Sequence, residues 1–529
     1  MSSNETQPIL RVENLSVALP KGADRPFAVK AASFDLRPSE ILCIVGESGS
    51  GKSVLSGALM GAVPEGLKIV DGKVVLGDTN LVGLSERAFR AIRGSDIAMI
   101  FQEPIASLNP AMTVSAQVEE VFELHSDFDA TERKKRARAL IESMHLPNPD
   151  RILQAYPHEL SGGQCQRVVI AMALAMNPRV LIADEPTTAL DVTTQAQVLK
   201  LVRELRDVHG HGIVFITHDF GVVADIANRV AVMRHGEIVE IGDAKQVLTA
   251  PNHPYTKELI AAVPSLTPHG RPAAQTGEEP VLAVHDLQHS YGSVQVLKHV
   301  ELSLLPGRVV SIVGESGCGK STLAKAMIRL IEPKSGRVEV AGADLLGLSS
   351  APLRVRRRSI QMIFQDPFGS LNPRRRVGPV IARSAMLAGV EAGEARRRAE
   401  ELLDLVGLQK SAYWRKPSAF SGGQRQRIGI ARALAMRPDV LIADESVSAL
   451  DVSVQAQVLK LLRELQEKLQ LAIVFITHDL RVAAQISDEI VVMQKGEIVE
   501  RGSAAQILQA PTHPYTKTLL DAAPGRSAF

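Results

Sequence analysis

The pattern G-x-x-x-x-G-K-[ST] occurs twice in this chain and constrains its fold more than any other feature. GESGSGKS lies at residues 46–53, and GESGCGKS lies at residues 314–321. Each copy follows an apolar run that predicts a buried strand, at residues 41–45 and 309–313, and each precedes a helical pattern. Glycines let backbone N–H groups converge on a phosphate, and the N-terminus of the following helix adds partial positive charge. The repeat therefore predicts two α/β units, each with a phosphate-binding loop.

Residue types inside the two loops indicate separate roles. Lys52 and Lys320 are predicted to reach the β- and γ-phosphates of a nucleotide, and the hydroxyls of Ser53 and Ser321 to ligate Mg²⁺. One match alone is equally compatible with a glycine-rich turn, but two matches with the same downstream partners favour nucleotide binding. The predicted nucleotide-binding residues of the loops are Gly46, Ser48, Gly49, Gly51, Lys52, Ser53, Val54, Gly314, Ser316, Gly317, Gly319, Lys320, Ser321 and Thr322.

The length and the repeat together predict two domains joined by a linker. A chain of 529 residues exceeds one ordinary domain. We expect a first domain at residues 1–264, an exposed linker rich in proline and glycine at 265–280, and a second domain at 281–529. Strand-like alternation precedes the first loop, whereas residues 104–177 show helical periodicity and predict a helical subdomain inserted into the α/β core.

The composition argues against several classes of function. With 45% apolar residues, 22% charged residues and a formal net charge of +2, the chain has no electrostatic bias toward nucleic acid. No signal peptide is visible, and no apolar run approaches the ~20 residues needed to span a bilayer. We therefore expect a cytoplasmic location.

The three cysteines are Cys43, Cys165 and Cys318, and they form no C-x-x-C pair. This spacing argues against a disulfide framework or a structural zinc site. Cys318 lies inside the second loop, where we expect the local positive field to lower the pKa of its thiol and ATP to protect it from alkylation.

Two apolar runs that predict strands end in adjacent carboxylates. VLIADE occurs twice, and it ends in Asp184-Glu185 and in Asp444-Glu445. The aspartate is predicted to hold Mg²⁺, and the glutamate to polarise the attacking water. An acidic turn after a strand is the structural alternative, which the presence of a phosphate-binding loop before each copy argues against.

A glutamine and a histidine complete the candidate set in each half. Gln102 and Gln365 end matching apolar strands, where a neutral amide can contact both the metal and the water. His218 and His478 follow another apolar strand, where an imidazole can bind the γ-phosphate and steady the water. Taken singly, each is better explained as a loop glutamine or a structural histidine. The predicted catalytic residues are Glu185, Glu445, His218, His478, Gln102 and Gln365, and the predicted metal ligands are Ser53, Gln102, Asp184, Ser321, Gln365 and Asp444.

The tetrapeptide SGGQ opens a helical run in each half. A serine hydroxyl and glycine amides at a helix N-terminus can bind an anion, whereas a simple helix cap would explain the serine but not the two glycines. Since each loop already predicts a phosphate site of its own, we expect each SGGQ to complete the nucleotide bound by the other half. Its residues are Ser161, Gly162, Gly163, Gln164, Ser421, Gly422, Gly423 and Gln424.

In the order of these motifs, the chain resembles the ATP-binding cassette ATPases over nearly its whole length. The loops are similar to Walker A, the glutamines to the Q-loop, SGGQ to the signature, the carboxylates to Walker B and the histidines to the H-loop. ALDV, with Asp191 and Asp451, is similar to the D-loop. The resemblance implies ATP and Mg²⁺ as ligands and, in each half, a RecA-like core, an antiparallel β subdomain and an inserted helical subdomain. Tyr291 lies where that family stacks an aromatic ring on adenine, whereas the first half has Leu19 there and Phe27 nearby.

Two further motifs are similar to the oligopeptide, dipeptide and nickel importer branch of that family, especially to its fused pairs that serve microcin C or oligopeptide import. SLNP follows each Q-loop, and HPYTK occurs near the end of each half, at residues 253–257 and 513–517. The resemblance implies the ATP-hydrolysing subunit of an importer for peptides or peptide-like solutes, peripheral to the cytoplasmic face of the bacterial inner membrane. Because no cysteine follows Cys318, we expect none of the iron–sulfur clusters that many members of the branch carry.

The partners implied are two integral membrane permease subunits and an extracytoplasmic solute-binding protein. No nucleic acid is implied, and the functional pair of cassettes is formed within one chain. Because both halves keep the glutamate, we expect two hydrolytic sites. The alternative is a soluble tandem ATPase acting on ribosomes or DNA, although the chain lacks the long charged helical linker and the C-x-x-C pairs expected of such proteins.

Overall fold

The computed structural model describes residues 7–188, 190–268, 278–366, 369–448 and 450–526. The chain divides into two compact units. The first unit comprises Met1–Leu190 and Thr194–Val263, and the second comprises Asp191–Thr193 and Pro264–Ser527. Residues 269–277 of the predicted linker lie outside the described residues.

The described residues of the first unit form two sheets. Its strands are β1 (Leu10–Ala18), β2 (Phe27–Leu36), β3 (Ile41–Val45), β4 (Lys68–Leu76), β5 (Thr79–Asn80), β6 (Ile97–Ile100), β7 (Val180–Asp184), β8 (Gly212–Ile216), β9 (Arg229–Arg234) and β10 (Glu237–Asp243). Four strands form an antiparallel sheet in the order β2-β1-β4-β5, and six form a second sheet in the order β10-β9-β3-β8-β7-β6. In the second sheet every neighbouring pair is parallel except β9 and β10.

Eleven α-helices are described before residue 264. They are α1 (Lys52–Leu59), α2 (Glu86–Ile92), α3 (Pro104–Ser107), α4 (Val114–His125), α5 (Ala130–Ser143), α6 (Pro149–Gln154), α7 (Gly162–Leu174), α8 (Val192–Asp207), α9 (Phe220–Ile226), α10 (Ala244–Thr249) and α11 (Pro254–Ala261). Helices α3 to α7 lie between β6 and β7, which confirms the predicted helical insertion. Three of these helices begin at a capping side chain whose oxygen accepts a backbone hydrogen bond: Thr113 caps α4, Asp129 caps α5 and Ser161 caps α7.

Buried strands lead into the phosphate-binding loop of the first unit. All five residues of β3, of β7 and of β8 are buried, as continuous apolar runs in a parallel sheet covered on both faces require. One hydrophobic cluster contains Leu10 of β1, Leu42 of β3 and Leu55 of α1. Helix α1 therefore packs in a core that both sheets share, and its N-terminus carries the loop.

The second unit repeats this architecture. Its strands are β11 (Leu282–Tyr291), β12 (Val294–Leu304), β13 (Val309–Val313), β14 (Ser335–Val340), β15 (Ala343–Asp344), β16 (Ile360–Ile363), β17 (Val440–Asp444), β18 (Ala472–Thr477), β19 (Glu489–Gln494) and β20 (Glu497–Ser503). The sheet orders are β12-β11-β14-β15 and β16-β17-β18-β13-β19-β20, so β13 again lies between its two parallel partners, β18 and β19.

The helices of the second unit follow the same order. They are α12 (Lys320–Met327), α13 (Ser350–Arg356), α14 (Val377–Leu387), α15 (Ala392–Leu405), α16 (Gly422–Leu434), α17 (Val452–Leu469), α18 (Leu480–Ile486), α19 (Ala504–Gln509) and α20 (Pro514–Asp521). Helices α14 to α16 lie between β16 and β17 and form the second helical insertion. The predicted fold class, two tandem α/β units each with an antiparallel sheet and a helical insertion, is confirmed. Within the described residues, none of the helices combines the length and the apolar character needed to cross a membrane.

Candidate active sites

Three neighbouring parallel strands bring the predicted residues of each unit to one edge of the sheet. In the first unit, β3 leads into the phosphate-binding loop, β7 ends at Asp184, and β8 is followed within two residues by His218. In the second unit, β13, β17 and β18 place the second loop, Asp444 and His478 in the same way. The carboxyl ends of parallel strands share one edge, where open α/β sheets bind ligands.

The loop backbone requires glycine immediately before each helix. Gly51 has φ 108° and Gly319 has φ 111°, a region that favours glycine. A Cβ atom on Gly51 would lie 2.3 Å from the carbonyl oxygen of Ala28 in β2. The antiparallel sheet therefore packs directly on the loop, and only a residue without a side chain fits there.

Each loop holds its lysine ammonium against its own carbonyl groups. Lys52 Nζ donates to the backbone oxygens of Gly46 at 2.8 Å and Glu47 at 3.1 Å. Lys320 Nζ donates to the backbone oxygen of Gly314 at 2.8 Å and to that of Glu315 at the same distance. Both lysines are buried, so each ammonium group is held at a defined place over its loop.

The predicted metal ligands Ser53 and Asp184 are adjacent in the first unit. Ser53 Oγ donates to Asp184 Oδ1 at 3.4 Å, and Ser56 Oγ donates to Asp184 Oδ2 at 3.0 Å. Burial raises the pKa of the Asp184 carboxyl above its usual value, although the two hydroxyl hydrogen bonds act in the opposite direction. Sequence reasoning missed Ser56, whose only local signal is its position three residues after Ser53 on the same helix face.

The second unit has the same pair with one donor fewer. Ser321 Oγ donates to Asp444 Oδ1 at 3.0 Å. Ala324 stands where the first unit has Ser56, so the second hydroxyl is missing. Burial raises the pKa of Asp444 as well, and Ser321 partly offsets that effect.

Three side chains lie within hydrogen-bonding distance of the Glu185 carboxylate. Gln102 Nε2 and Thr188 Oγ1 each donate to Glu185 Oε2 at 3.0 Å, and His218 Nδ1 lies 3.3 Å from the same oxygen. Burial by itself raises the pKa of Glu185, but the hydrogen bond and charge of His218, together with Lys52 and Thr188, outweigh burial and lower it overall. The carboxylate is thus kept ionised although it is partly buried.

Glu445 is surrounded by the corresponding groups with different spacing. Gln365 Nε2 donates to Glu445 Oε2 at 2.7 Å, His478 Nδ1 lies 3.7 Å from Oε1, and Lys320 Nζ lies 4.0 Å from Oε1. Burial raises the pKa of Glu445, and the hydrogen bond and charge of His478, with Lys320, lower it overall. Ser448, the counterpart of Thr188, donates to the backbone oxygen of Glu445 and not to its carboxylate.

Both candidate glutamates have left-handed backbone. The φ angles are 48° at Glu185 and 42° at Glu445. Residues other than glycine rarely adopt this region, and the cost is of the order of 1 kcal/mol or more. The surrounding core imposes this conformation, which turns each side chain toward the glutamine and the histidine of its own unit.

The SGGQ serines are helix caps in both units. Gln164 N–H donates to Ser161 Oγ at 3.3 Å, and Ser161 N–H donates to Gln164 Oε1 at 2.9 Å. Ser421 and Gln424 make the same reciprocal pair, at 3.4 Å and 3.1 Å. The structure thus gives the glutamine a capping role that the sequence did not predict.

Packing explains one of the two signature glycines. A Cβ atom on Gly163 would lie 2.3 Å from Thr194 Cγ2, and one on Gly423 would lie 2.2 Å from Val454 Cγ1. A Cβ atom on Gly162 would meet nothing within 4 Å. The helix-cap alternative therefore accounts for more of the motif than sequence reasoning allowed, and the first glycine is the one that packing leaves unexplained.

Tyr291 ends β11 with 51% of its surface exposed, and its ring meets the ring of His289 edge-on, with 4.7 Å between the ring centres.

The predicted lowering of the Cys318 thiol pKa is wrong. Burial raises the pKa of Cys318, and Lys320, with Nζ 4.0 Å from Sγ, offsets this only in part.

Comparisons with known proteins identify domains in both halves. The family model described as ABC transporter matches residues 29–188 and 297–448. The model described as oligopeptide/dipeptide transporter, C-terminal region, matches residues 239–289 and 499–527.

Similar proteins cover nearly the whole chain. The peptidoglycan transport ATP-binding protein YejF of Agrobacterium fabrum is 45% identical over 99% of this chain and 98% of its own. The glutathione import ATP-binding protein GsiA of Salmonella typhimurium is 44% identical over 98% of this chain and 90% of its own. Among solved structures, a component of an ABC transporter complex from Clostridium perfringens is 29% identical over 44% of this chain and 92% of its own, with a TM-score of 0.41.

Proposed function

Because this chain belongs to the ABC transporter family and is an ATPase coupled to import, we propose that it drives the uptake of peptides or peptide-like solutes. One observation carries the proposal. Both units place a loop lysine, a buried aspartate, a glutamate, a glutamine and a histidine at one sheet edge, in a chain whose two HPYTK segments lie within matches to the oligopeptide/dipeptide transporter region. Two such sets of residues suit an energy-supplying subunit.

Hydrolysis at each centre is assigned to the glutamate. Glu185, ionised because its pKa is lowered, accepts a hydrogen bond from the attacking water and polarises it toward the γ-phosphate. His218 and Gln102 both contact Glu185 and hold its carboxylate in orientation. Lys52, whose Nζ binds the carbonyl oxygen of Gly46, is assigned to balance the negative charge of the β- and γ-phosphates. Glu445 has the corresponding role in the second unit.

The donor set fits Mg²⁺ in both units. A serine hydroxyl and a buried aspartate are adjacent, and Gln102 and Gln365 engage the glutamates through Nε2, which leaves the amide oxygen as the ligand atom. Hydroxyl, carboxylate and amide oxygens are the ligands that hard divalent cations take. When bound, Mg²⁺ would neutralise charge on the phosphate oxygens. We propose Ser53, Asp184 and Gln102, and Ser321, Asp444 and Gln365, as its protein ligands.

Membrane partners supply the transport pathway. We propose two integral membrane permease subunits, a solute-binding protein outside the membrane, and a peripheral position for this chain on the cytoplasmic face of the bacterial inner membrane. ATP binding can drive such partners only if one conformation of the chain binds ATP more tightly than the other.

The proposed solute class follows from the relatives. One relative is named for peptidoglycan transport and another for glutathione import, and both materials contain peptide units. The C-terminal region model, named for oligopeptides and dipeptides, points in the same direction. The relatives named here offer no support for the alternative of a soluble ATPase acting on ribosomes or DNA.

A pull-down followed by uptake measurements tests this function. The tagged full chain, solubilised in mild detergent, is expected to retain two integral membrane proteins. Cells that carry only Glu185→Gln/Glu445→Gln are expected to lose uptake of labelled glutathione or peptidoglycan fragments, while wild-type cells keep it. Recovery of ribosomes or DNA in place of membrane proteins, or normal uptake by the double variant, would contradict the proposal.

A further inference from the structure

A tyrosine from the HPYTK segment contacts the phosphate-binding loop in each unit. The N–H of Glu47 donates to the hydroxyl of Tyr255 at 3.3 Å, and the N–H of Glu315 donates to the hydroxyl of Tyr515 at 3.1 Å. The partners are about two hundred residues apart in the chain. The same long-range contact is thus made twice, once in each unit.

The contacted peptide group is the one that also holds the loop lysine. Gly46 and Glu47 share a planar trans peptide, whose C=O and N–H point in opposite directions. Lys52 Nζ binds its oxygen, and Tyr255 binds its N–H. Packing confines this peptide on one side, where a Cβ atom on Gly46 would lie 2.3 Å from the carbonyl oxygen of Met233. The two hydrogen bonds clamp it from opposite sides.

The second unit has the same clamp. Lys320 Nζ binds the oxygen of Gly314 at 2.8 Å, and Tyr515 accepts from the N–H of Glu315. In both units the tyrosine hydroxyl and the lysine ammonium thus bind the same peptide group, so the orientation of that peptide affects the position of the ammonium group.

The tyrosines are themselves held by a structured turn. In the first unit the carboxylate of Glu240 on β10 accepts from the N–H groups of Asn252 at 2.7 Å and His253 at 3.1 Å. His253 Nδ1 then accepts from the N–H of Tyr255 at 3.2 Å and caps α11. This anchoring fixes the point from which the hydroxyl reaches the loop.

The corresponding turn in the second unit uses the same chemistry. Glu500 on β20 accepts from the N–H groups of Thr512 at 2.6 Å and His513 at 3.2 Å, and His513 Nδ1 accepts from Tyr515 N–H at 3.2 Å. The Tyr515 ring belongs to a core cluster that contains Val313, the last residue before the loop. The ring and the hydroxyl thus have separable roles, in packing and in loop contact.

We propose that Tyr255 and Tyr515 are positioning residues for the two ATP-binding loops. Each hydroxyl orients the peptide between the first two loop residues and thereby holds the loop lysine where the phosphates of ATP bind. The proposal rests on the ATP sites described under the proposed function. Burial raises the pKa of Tyr255 to about 12, so its hydroxyl stays neutral and able to accept throughout the physiological range.

Phenylalanine substitutions remove the hydroxyl and keep the ring, so they test the two roles separately. In the full-length chain, Tyr255→Phe/Tyr515→Phe is expected to raise the KM for ATP roughly three- to tenfold, the usual net worth of one hydrogen bond per site, and to change kcat less than about twofold. The melting temperature of the nucleotide-free chain is expected to stay within a few degrees of wild type, because the packed rings remain. Tyr413→Phe, which removes a hydroxyl from a buried tyrosine in the second helical insertion, is the matched control and should change neither parameter.

Hydrogen exchange of the loop amides gives a readout that does not depend on turnover. Peptides covering residues 46–53 and 314–321 are expected to exchange faster in the double variant, while peptides from the helical insertions exchange as in wild type. An unchanged KM with unchanged loop exchange, or a lower melting temperature without either effect, would show that the tyrosines only fill the core. A wild-type chain that fails to hydrolyse ATP would instead overturn the proposed function.

Discussion

The hydroxyl of Thr188 donates to the carboxylate of Glu185 at 3.0 Å, and this contact distinguishes the two candidate sites. Its counterpart Ser448 donates to a backbone oxygen, so the carboxylate of Glu445 receives no such bond. The two units have the same motifs but different environments for the group that polarises water.

Thr188→Ala is expected to lower kcat roughly fivefold when measured with the second site disabled by Glu445→Gln, because a hydrogen bond to a charged group is lost. Ser448→Ala, measured with Glu185→Gln, is the matched control and is expected to stay within twofold of its parent. Steady-state ATP hydrolysis at saturating MgATP measures both. Equal losses in the two variants would mean that the contact at 3.0 Å has no role in turnover.

Both glutamates are expected to contribute to turnover. Glu185→Gln and Glu445→Gln should each reduce ATP hydrolysis, and the double variant should lose roughly a hundredfold or more, the usual contribution of a positioned base. Nucleotide binding should survive, since the loop lysines are untouched. Near wild-type hydrolysis in either single variant would indicate that only one of the two sites turns over.

Ser53→Ala and Ser321→Ala are expected to raise the Mg²⁺ concentration that gives half-maximal hydrolysis by roughly tenfold or more, because each removes a proposed oxygen ligand beside an aspartate. Ser56→Ala gives the first unit the alanine that the second unit has as Ala324, and it should raise that concentration only about twofold. A Mg²⁺ titration at fixed ATP compares the three. If Ser56→Ala had the largest effect, Ser53 would not be the ligand.

Gly51→Ala is expected to lower the free energy of unfolding of the first unit by about 2 kcal/mol, because a side chain there meets the Ala28 carbonyl at 2.3 Å and a strained φ of 108°. Gly393→Ala, in the first turn of α15 with open space around it, should be neutral or slightly stabilising. Thermal and denaturant unfolding report both. A larger loss in Gly393→Ala would contradict this account of the loop.

The buried imidazole of His211 predicts a loss of stability in acid. Burial lowers the pKa of His211, although its hydrogen bond to the Pro178 carbonyl at 2.6 Å acts in the opposite direction. The unfolded chain then binds the proton more readily, so stability is full above the unfolded pKa of about 6.5 and falls as the pH drops below it.

His211→Leu tests that dependence with the residue that the second unit has in this position, Leu471. The difference in melting temperature of the first unit between pH 7.5 and pH 5.5 is expected to be smaller in the variant than in the wild type. An equal difference in both proteins would mean that other groups dominate the acid response.

The two loops, their strands and the carboxylates that follow β7 and β17 could be predicted from the sequence alone. Residues 41–45 and 309–313 are strands in the structure as predicted, because a continuous apolar run that leads into glycines permits few other conformations. Helical periodicity likewise predicted the first insertion, at residues 104–177, whereas the second was implied only by the family resemblance. Which half supplies the SGGQ residues to which nucleotide stays a prediction.

Only the tertiary structure decided which side chains surround each motif. Tyr255 reaches Glu47 through strand order and helix packing, and no local pattern relates residues so far apart. For Cys318 the sequence prediction failed, because the loop sequence indicated a lowered thiol pKa whereas burial in the core raises that pKa. Backbone conformation and the apolar pattern of a strand depend on neighbours in the chain, whereas hydrogen-bond partners and desolvation depend on neighbours in space.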